Sequence, residues 1–203
     1  RISSLTYRKS KPPGTRLNAG RAGAGGIEAM RSIARLFLFV FVGLLLVWLF
    51  RGTLYRSIVT YKVVGVRAAI ATLDTAFGTT MGRDEAISEA LDATSTRLYF
   101  SMGHVSNDPA ELMKGGPANC IGYSALCASL LVAQLERSGM DDRYTVEHVI
   151  GKLYIGRWSL HTMFHGPFWK DHDIVRITDR RNGQRVYVDP ALFDAVGIGR
   201  VTG

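Results

Sequence analysis

A chain of 203 residues, 47% apolar, with two cysteines and a formal net charge of +8, has room for one sizeable domain and an appendage. The charge divides unevenly: residues 1–62 hold eleven Lys/Arg against one acidic residue, Glu28, and residues 63–203 hold fourteen against sixteen. The positive excess thus belongs to the tail and the membrane flanks, where it suits anionic headgroups, and a nucleic-acid partner is not inferred from it.

Residues 1–29, rich in Gly, Arg, Ser and Pro, bury too little apolar surface to offset chain entropy and read as a disordered basic tail. Met30 opens a more ordinary signal-anchor sequence, so native synthesis is expected to start there. Residues 36–50, "LFLFVFVGLLLVWLF", contain no polar side chain. As a helix they cover about 22 Å, short of a ~30 Å hydrocarbon core, so modest thinning of the bilayer is expected. Arg35 and Arg51 are placed to snorkel to the two headgroup layers, and Trp48 suits an interface. No small-x-small cleavage site follows, and an all-round apolar run fits poorly on a one-faced core helix. Residues 30–56 therefore read as an uncleaved single-pass anchor in membrane lipid. Basic residues lie on both sides of it and set no orientation, and the folded part is expected outside the cytoplasm.

Residues 57–83 read as a connecting segment and 84–203 as the folded domain. "DEAISEALDATSTRLYF" reads as a helix capped by Asp84, with Ile87, Ala90, Leu91 and Leu98 near one face. A second helix runs from Cys120 to Arg137, with Leu126, Leu130, Leu131 and Leu135 at helical spacing and Ser138-Gly139 closing it. "RYTVEHVIGKLYI" is strand-like, "GRWSLHTMFHGPFWKD" is an aromatic loop, and "HDIVRIT", "DRRNG", "QRVYVDP" reads as a hairpin with Asn-Gly at its turn. The fold class is α+β, N-terminal helices packed on an antiparallel sheet and preceded by one transmembrane helix.

Cys120 stands at a helix N-terminus, where unsatisfied N–H groups and the helix dipole favour a thiolate and can receive an oxyanion. A small buried apolar residue is the other reading of such a cysteine. Cys127, seven residues on and about 10 Å away, is too far for a disulfide and reads as core, so cysteine usage does not set the compartment. A nucleophile needs a base and the base an orienting group. Among five histidines, His172 begins a strand whose hairpin partner ends at Asp189-Pro190, which brings imidazole and carboxylate side by side. A solvated strand end and an ordinary turn are the alternatives.

"GPANCIGYSALCASLL", "HDIVRIT" and "RVYVDP" together resemble the transglutaminase-like (papain-like) cysteine superfamily over residues 84–194. The resemblance implies Cys120 as nucleophile, His172 as general base and acid, and Asp189 as the group that fixes the imidazole. It implies a membrane-anchored cysteine-dependent acyl-transfer enzyme acting on protein or peptide amides, of peptidase, amidase or transglutaminase type, with no cofactor. The chain departs from the family pattern at Ile174, where an aromatic is common, and in the "DHD" around His172, expected to raise its pKa. A register setting His172 opposite Asp189 also sets Arg176 opposite Arg185, and a one-residue slip would turn the pair to opposite faces.

Asn119 is a candidate for the oxyanion or for the cap of the cysteine helix. Phe164, Phe168 and Trp169 read as a wall of the substrate cleft or as a satellite hydrophobic cluster. His161 and His165 have ligand spacing if helical, but Gly166-Pro167 interrupts a helix and no metal is assigned. The other functional class is a catalytically inactive domain that serves as a membrane-anchored scaffold or assembly protein.

Overall fold

A computed structural model describes residues 24–67, 70–73, 82–163 and 171–203. Among them the chain is α+β, with seven helices and an antiparallel main sheet. The chain divides into two units, Arg1–Leu46 and Val47–Gly203.

Helix α1 (Ala24–Leu49) belongs mostly to the first. Its stretch Met30–Leu49 is long and apolar enough to cross a membrane, and none of it is buried. At 1.5 Å per residue it covers ~30 Å, so the thinning expected from the shorter apolar run is unnecessary. The anchor was expected to run to residue 56, whereas α1 ends at Leu49 and a separate helix, α2 (Arg51–Ile58), follows. Arg51 is not free to snorkel: its Nε donates to the Val196 carbonyl at 2.7 Å, and its guanidinium lies over Trp48.

The segment expected as a connector contains β1 (Val59–Val66), an integral strand of the sheet. It pairs with β4 (Tyr144–Ile155), which pairs with β6 (His172–Asp179), then β7 (Arg185–Val188) and β8 (Arg200–Val201). A bridge between Thr60 and Thr202 brings β8 back to β1, so the sheet curls toward closure. The short β5 (Trp158–Ser159) folds back on β4 and leads into α6 (Leu160–Met163).

Helix α3 (Arg83–Arg97) starts one residue earlier than expected. Gly82 is its cap position, and the Glu85 side chain accepts from the Gly82 N–H, while Asp84 pairs with Arg83 and Arg200. The helix stops at Arg97, because Leu98–Phe100 becomes β2, paired in parallel with β3 (Gly116–Ala118). The short α4 (Pro109–Leu112) lies between those strands in sequence. Helix α5 (Cys120–Arg137) has the bounds read from the sequence. Its buried Leu126, Leu130, Leu131 and Leu135 pack with Ile87 and Leu91 of α3 and with Val175, Ile177 and Val188 of the sheet. Each such side chain contributes about 1.5–3 kcal/mol of burial.

A second cluster fills the opposite face of the sheet: Val59, Tyr61, Val149, Leu153, Ile174, Tyr187 and Val201, with Leu160 from α6. Ile174, at the position where the resembled family often has an aromatic, is a fully buried member of it. The chain after β7 turns into α7 (Pro190–Val196), capped at its N-terminus by Asp189.

Candidate active site

Asn119 sets up the start of α5. Its Oδ1 accepts from the Ile121 and Gly122 N–H groups at 3.1 and 3.2 Å, so of its two expected roles the cap is the one this geometry shows. Cys120 is then the first residue of the helix and is half-buried. Cys127, on the same helix, is fully buried, and burial pushes its thiol up to about 12. The two cysteines occupy different chemical environments, one at a helix mouth and one in the core.

The hairpin carries the other two groups. Val175 pairs with Val188 and Arg176 with Tyr187, a register two residues away from the one that would oppose His172 and Asp189 directly. A two-residue shift preserves facing, so His172 and Asp189 share a face diagonally. It also removes the expected clash: Arg176 meets its β4 partner Glu147 through two bonds of 2.7 and 2.8 Å, and Arg185 faces Thr178. The turn is a four-residue loop, closed by Asp179 N–H to Gln184 at 2.9 Å, with Gly183 at φ 70°.

His172 Nε2 donates to Asp189 Oδ2 at 2.7 Å, with both side chains buried. The Cys120 side chain also acts on the ring, in the direction that favours its charged form. With Nε2 held by the carboxylate, proton exchange with Cys120 falls to Nδ1. Burial opposes charge on the ring, but the Asp189 carboxylate and then the Cys120 side chain outweigh it and raise His172 to about 10. The expected rise is present, but its cause differs from the flanking aspartates. Asp173 points to the opposite face, where His148 Nε2 at 2.7 Å and Arg67 Nε at 2.8 Å bind it, and Asp171 is exposed. Burial works against ionisation of Asp173, and these two partners hold its carboxyl low. Arg67 itself lies within electrostatic range of Cys120.

Sequence reasoning missed the two tyrosines behind the carboxylate. Tyr61 Oη donates to Asp189 Oδ2 at 2.8 Å, and the Tyr55 and Tyr61 hydroxyls bond at 2.6 Å. Asp189 Oδ1 accepts from the Leu192 N–H at 2.9 Å, so both carboxylate oxygens are engaged. Tyr61 reaches this position across Gly151. A Cβ there would approach its ring at 3.2 Å, and glycine leaves the path open. Burial, then the neighbouring Asp189 charge, pushes the Tyr61 hydroxyl up, and burial pushes Tyr55 up to about 12, so both remain proton donors.

Removing the Tyr61 hydroxyl by Tyr61→Phe should cost about 1–2 kcal/mol in chemical unfolding, because it unpairs Tyr55 and one contact of Asp189. A substitution without stability change would show that the chain of hydroxyls is not formed. The raised His172 also has a pH signature. Its stabilising contribution is complete below its unfolded value of 6.5 and is lost as pH rises through about 10. Thermal midpoints should therefore fall between those limits more steeply for the native chain than for His172→Gln. Parallel curves would refute the assignment.

Phe164, His165, Phe168 and Trp169 lie outside the described residues. His161 is on α6. No family model, curated protein or solved structure matches this chain.

Proposed function

We propose that the chain is a membrane-anchored cysteine acyl-transfer enzyme that acts on amide bonds through Cys120, His172 and Asp189. The observation that carries this reading is His172, bonded to a buried carboxylate and raised further by the Cys120 side chain at a helix N-terminus. The resemblance to the transglutaminase-like superfamily supports it through the same three residue types, in the same order and on the same kinds of element. The apolar helix α1 supplies the anchor, and the folded part lies outside the cytoplasm.

The chemistry follows from the charges. The charged ring of His172 is the acid, and its partner Cys120 is the nucleophile. Its sulfur attacks the amide carbonyl carbon, and the carbonyl π pair moves to oxygen, where the backbone N–H of Cys120 and the helix dipole receive the charge. As the oxyanion collapses, the C–N bond breaks and His172 Nδ1 gives its proton to the departing nitrogen, leaving a thioester on Cys120. Water or an amine then gives a proton to Nδ1 while attacking the thioester, and the C–S bond breaks to restore the thiolate. Hydrolysis and amine transfer share every protein group and differ in which nucleophile arrives. Asp189 fixes the ring and stabilises its positive form, and Tyr61 and Tyr55 hold Asp189.

The test is acylation of the full chain by p-nitrophenyl acetate. One equivalent of nitrophenolate should appear rapidly, with the acetyl group on Cys120 by peptide mapping, and Cys120→Ser should lose it. Acylation no faster than that of a free cysteine would instead favour the inactive scaffold.

A further inference from the structure

Beside the His172–Asp189 pair, on the face of the sheet opposite α5, lies a cavity of about 420 Å³. Its walls are Val59, Leu153, Leu160 and Leu192, and Ile155 and Ala195 are at its exposed rim. Its polar groups are Tyr55, Tyr61, His172 and Asp189, and these are committed to one another: Tyr55 to Tyr61, Tyr61 to Asp189, and Asp189 to His172 and the Leu192 N–H. A polar ligand would find few partners there, and an apolar one would meet continuous hydrocarbon. The size is also informative. The cavity is roughly three times the ~150 Å³ void that takes up a benzene, more than one leucine-sized side chain requires. Tyr55 stands only six residues beyond Leu49, the end of the helix long enough to cross a membrane, so a lining residue of the cavity follows that apolar helix closely in sequence.

We propose that this cavity binds a long aliphatic chain of the amide substrate, making the substrate an amphiphile with a hydrocarbon tail. The proposal rests on the acyl-transfer reading and names its substrate class. The tail fills the space between β1, the end of β4, α6 and α7, and anchors the amide beside His172. The rim residues Ile155 and Ala195 set how much chain fits.

The experiment uses the full chain in phosphatidylcholine nanodiscs with a palmitamide bearing a diazirine near the chain end. Irradiation should label the segments containing Leu153, Leu160 and Leu192, besides the α1 helix that contacts the bilayer. Unlabelled palmitamide should displace the label from the first three, and leucinamide should not. Ala195→Trp and Ile155→Trp, both at exposed positions, should each lower labelling of those segments by about tenfold, the loss of about two buried methylenes. Label in α1 should not change. Labelling confined to α1, indifference to both rim substitutions, or displacement by leucinamide as effective as by palmitamide would overturn the proposal. Iodoacetamide reactivity of Cys120, measured on the same samples with and without His172→Gln, reads the acyl-transfer assignment separately. Photolabelling requires no working thiol, so the two readings can fail independently.

Discussion

Replacing His172 by alanine should slow alkylation of Cys120 by iodoacetamide at about pH 6 by at least tenfold. An unassisted thiol with an ordinary pKa near 8.5 is only about 0.3% ionised at that pH, whereas a thiolate held by an imidazolium is present throughout. Part of that difference is returned, because a stabilised thiolate is the weaker nucleophile. The chain carries its own control for unfolding. Cys127 is fully buried, with its thiol pushed up to about 12, and should be labelled only when the fold opens. Slow Cys120 labelling with Cys127 still protected means lost activation, whereas simultaneous labelling of both means lost structure. Equal Cys120 rates in the native chain and the variant would show that the ring does not act on the thiol.

The second large effect falls on stability. Asp189 is wholly buried and serves three partners: His172, Tyr61 and the N-terminus of α7. Asp189→Ala strands a buried charged ring, which costs about 3–5 kcal/mol, and removes a helix cap worth about 1 kcal/mol. Asp189→Asn keeps a good capping side chain and the volume but loses the charge. Chemical unfolding of the full chain should therefore place the asparagine variant above the alanine variant in stability, with both below the native chain. In alkylation at about pH 6 the asparagine variant should fall close to His172→Ala, because the positive ring loses its counter-charge. A native-like unfolding curve for Asp189→Ala would remove the carboxylate from its central place.

Parts of this site are legible in the sequence. Helix α5 carries a capping Asn119, leucines at helical spacing and a closing Ser-Gly, and local chemistry alone delimits it. His172 and Asp189 were legible as the two ends of one hairpin, because a shared face depends on parity and not on the exact register. The register itself was not legible: a four-residue loop and a shift of two residues preserve facing while removing the Arg176–Arg185 opposition. Strand β1 was hidden by the irregularity between Val63 and Gly65, which interrupts its alternation against β4. Leu98–Phe100 reads as more helix by local preference, and pairing with Gly116–Ala118 overrides that preference.

The tyrosines were the least accessible part. Tyr61 and Asp189 are separated by 128 residues, and no local spacing relates them. They meet because β1 lies against β4, β4 lies against β6, and Gly151 between Tyr61 and His172 has no side chain to obstruct the ring. The cause of the His172 shift was equally non-local. Sequence proximity pointed to Asp171 and Asp173, but strand alternation sends Asp173 to the other face and leaves the distant Asp189 as the partner.

The central claim is that Cys120 and His172 form a thiolate–imidazolium pair. Its most direct measurement is the ultraviolet thiolate absorbance of the full chain, taken as the difference from Cys120→Ser and followed from acid to alkaline pH. The expected result is a thiolate signal already present at about pH 5–6, well below the ordinary thiol value of about 8.5. A signal that emerges only as pH rises through that ordinary value would contradict the pair, and with it the reading of this domain as an acyl-transfer enzyme.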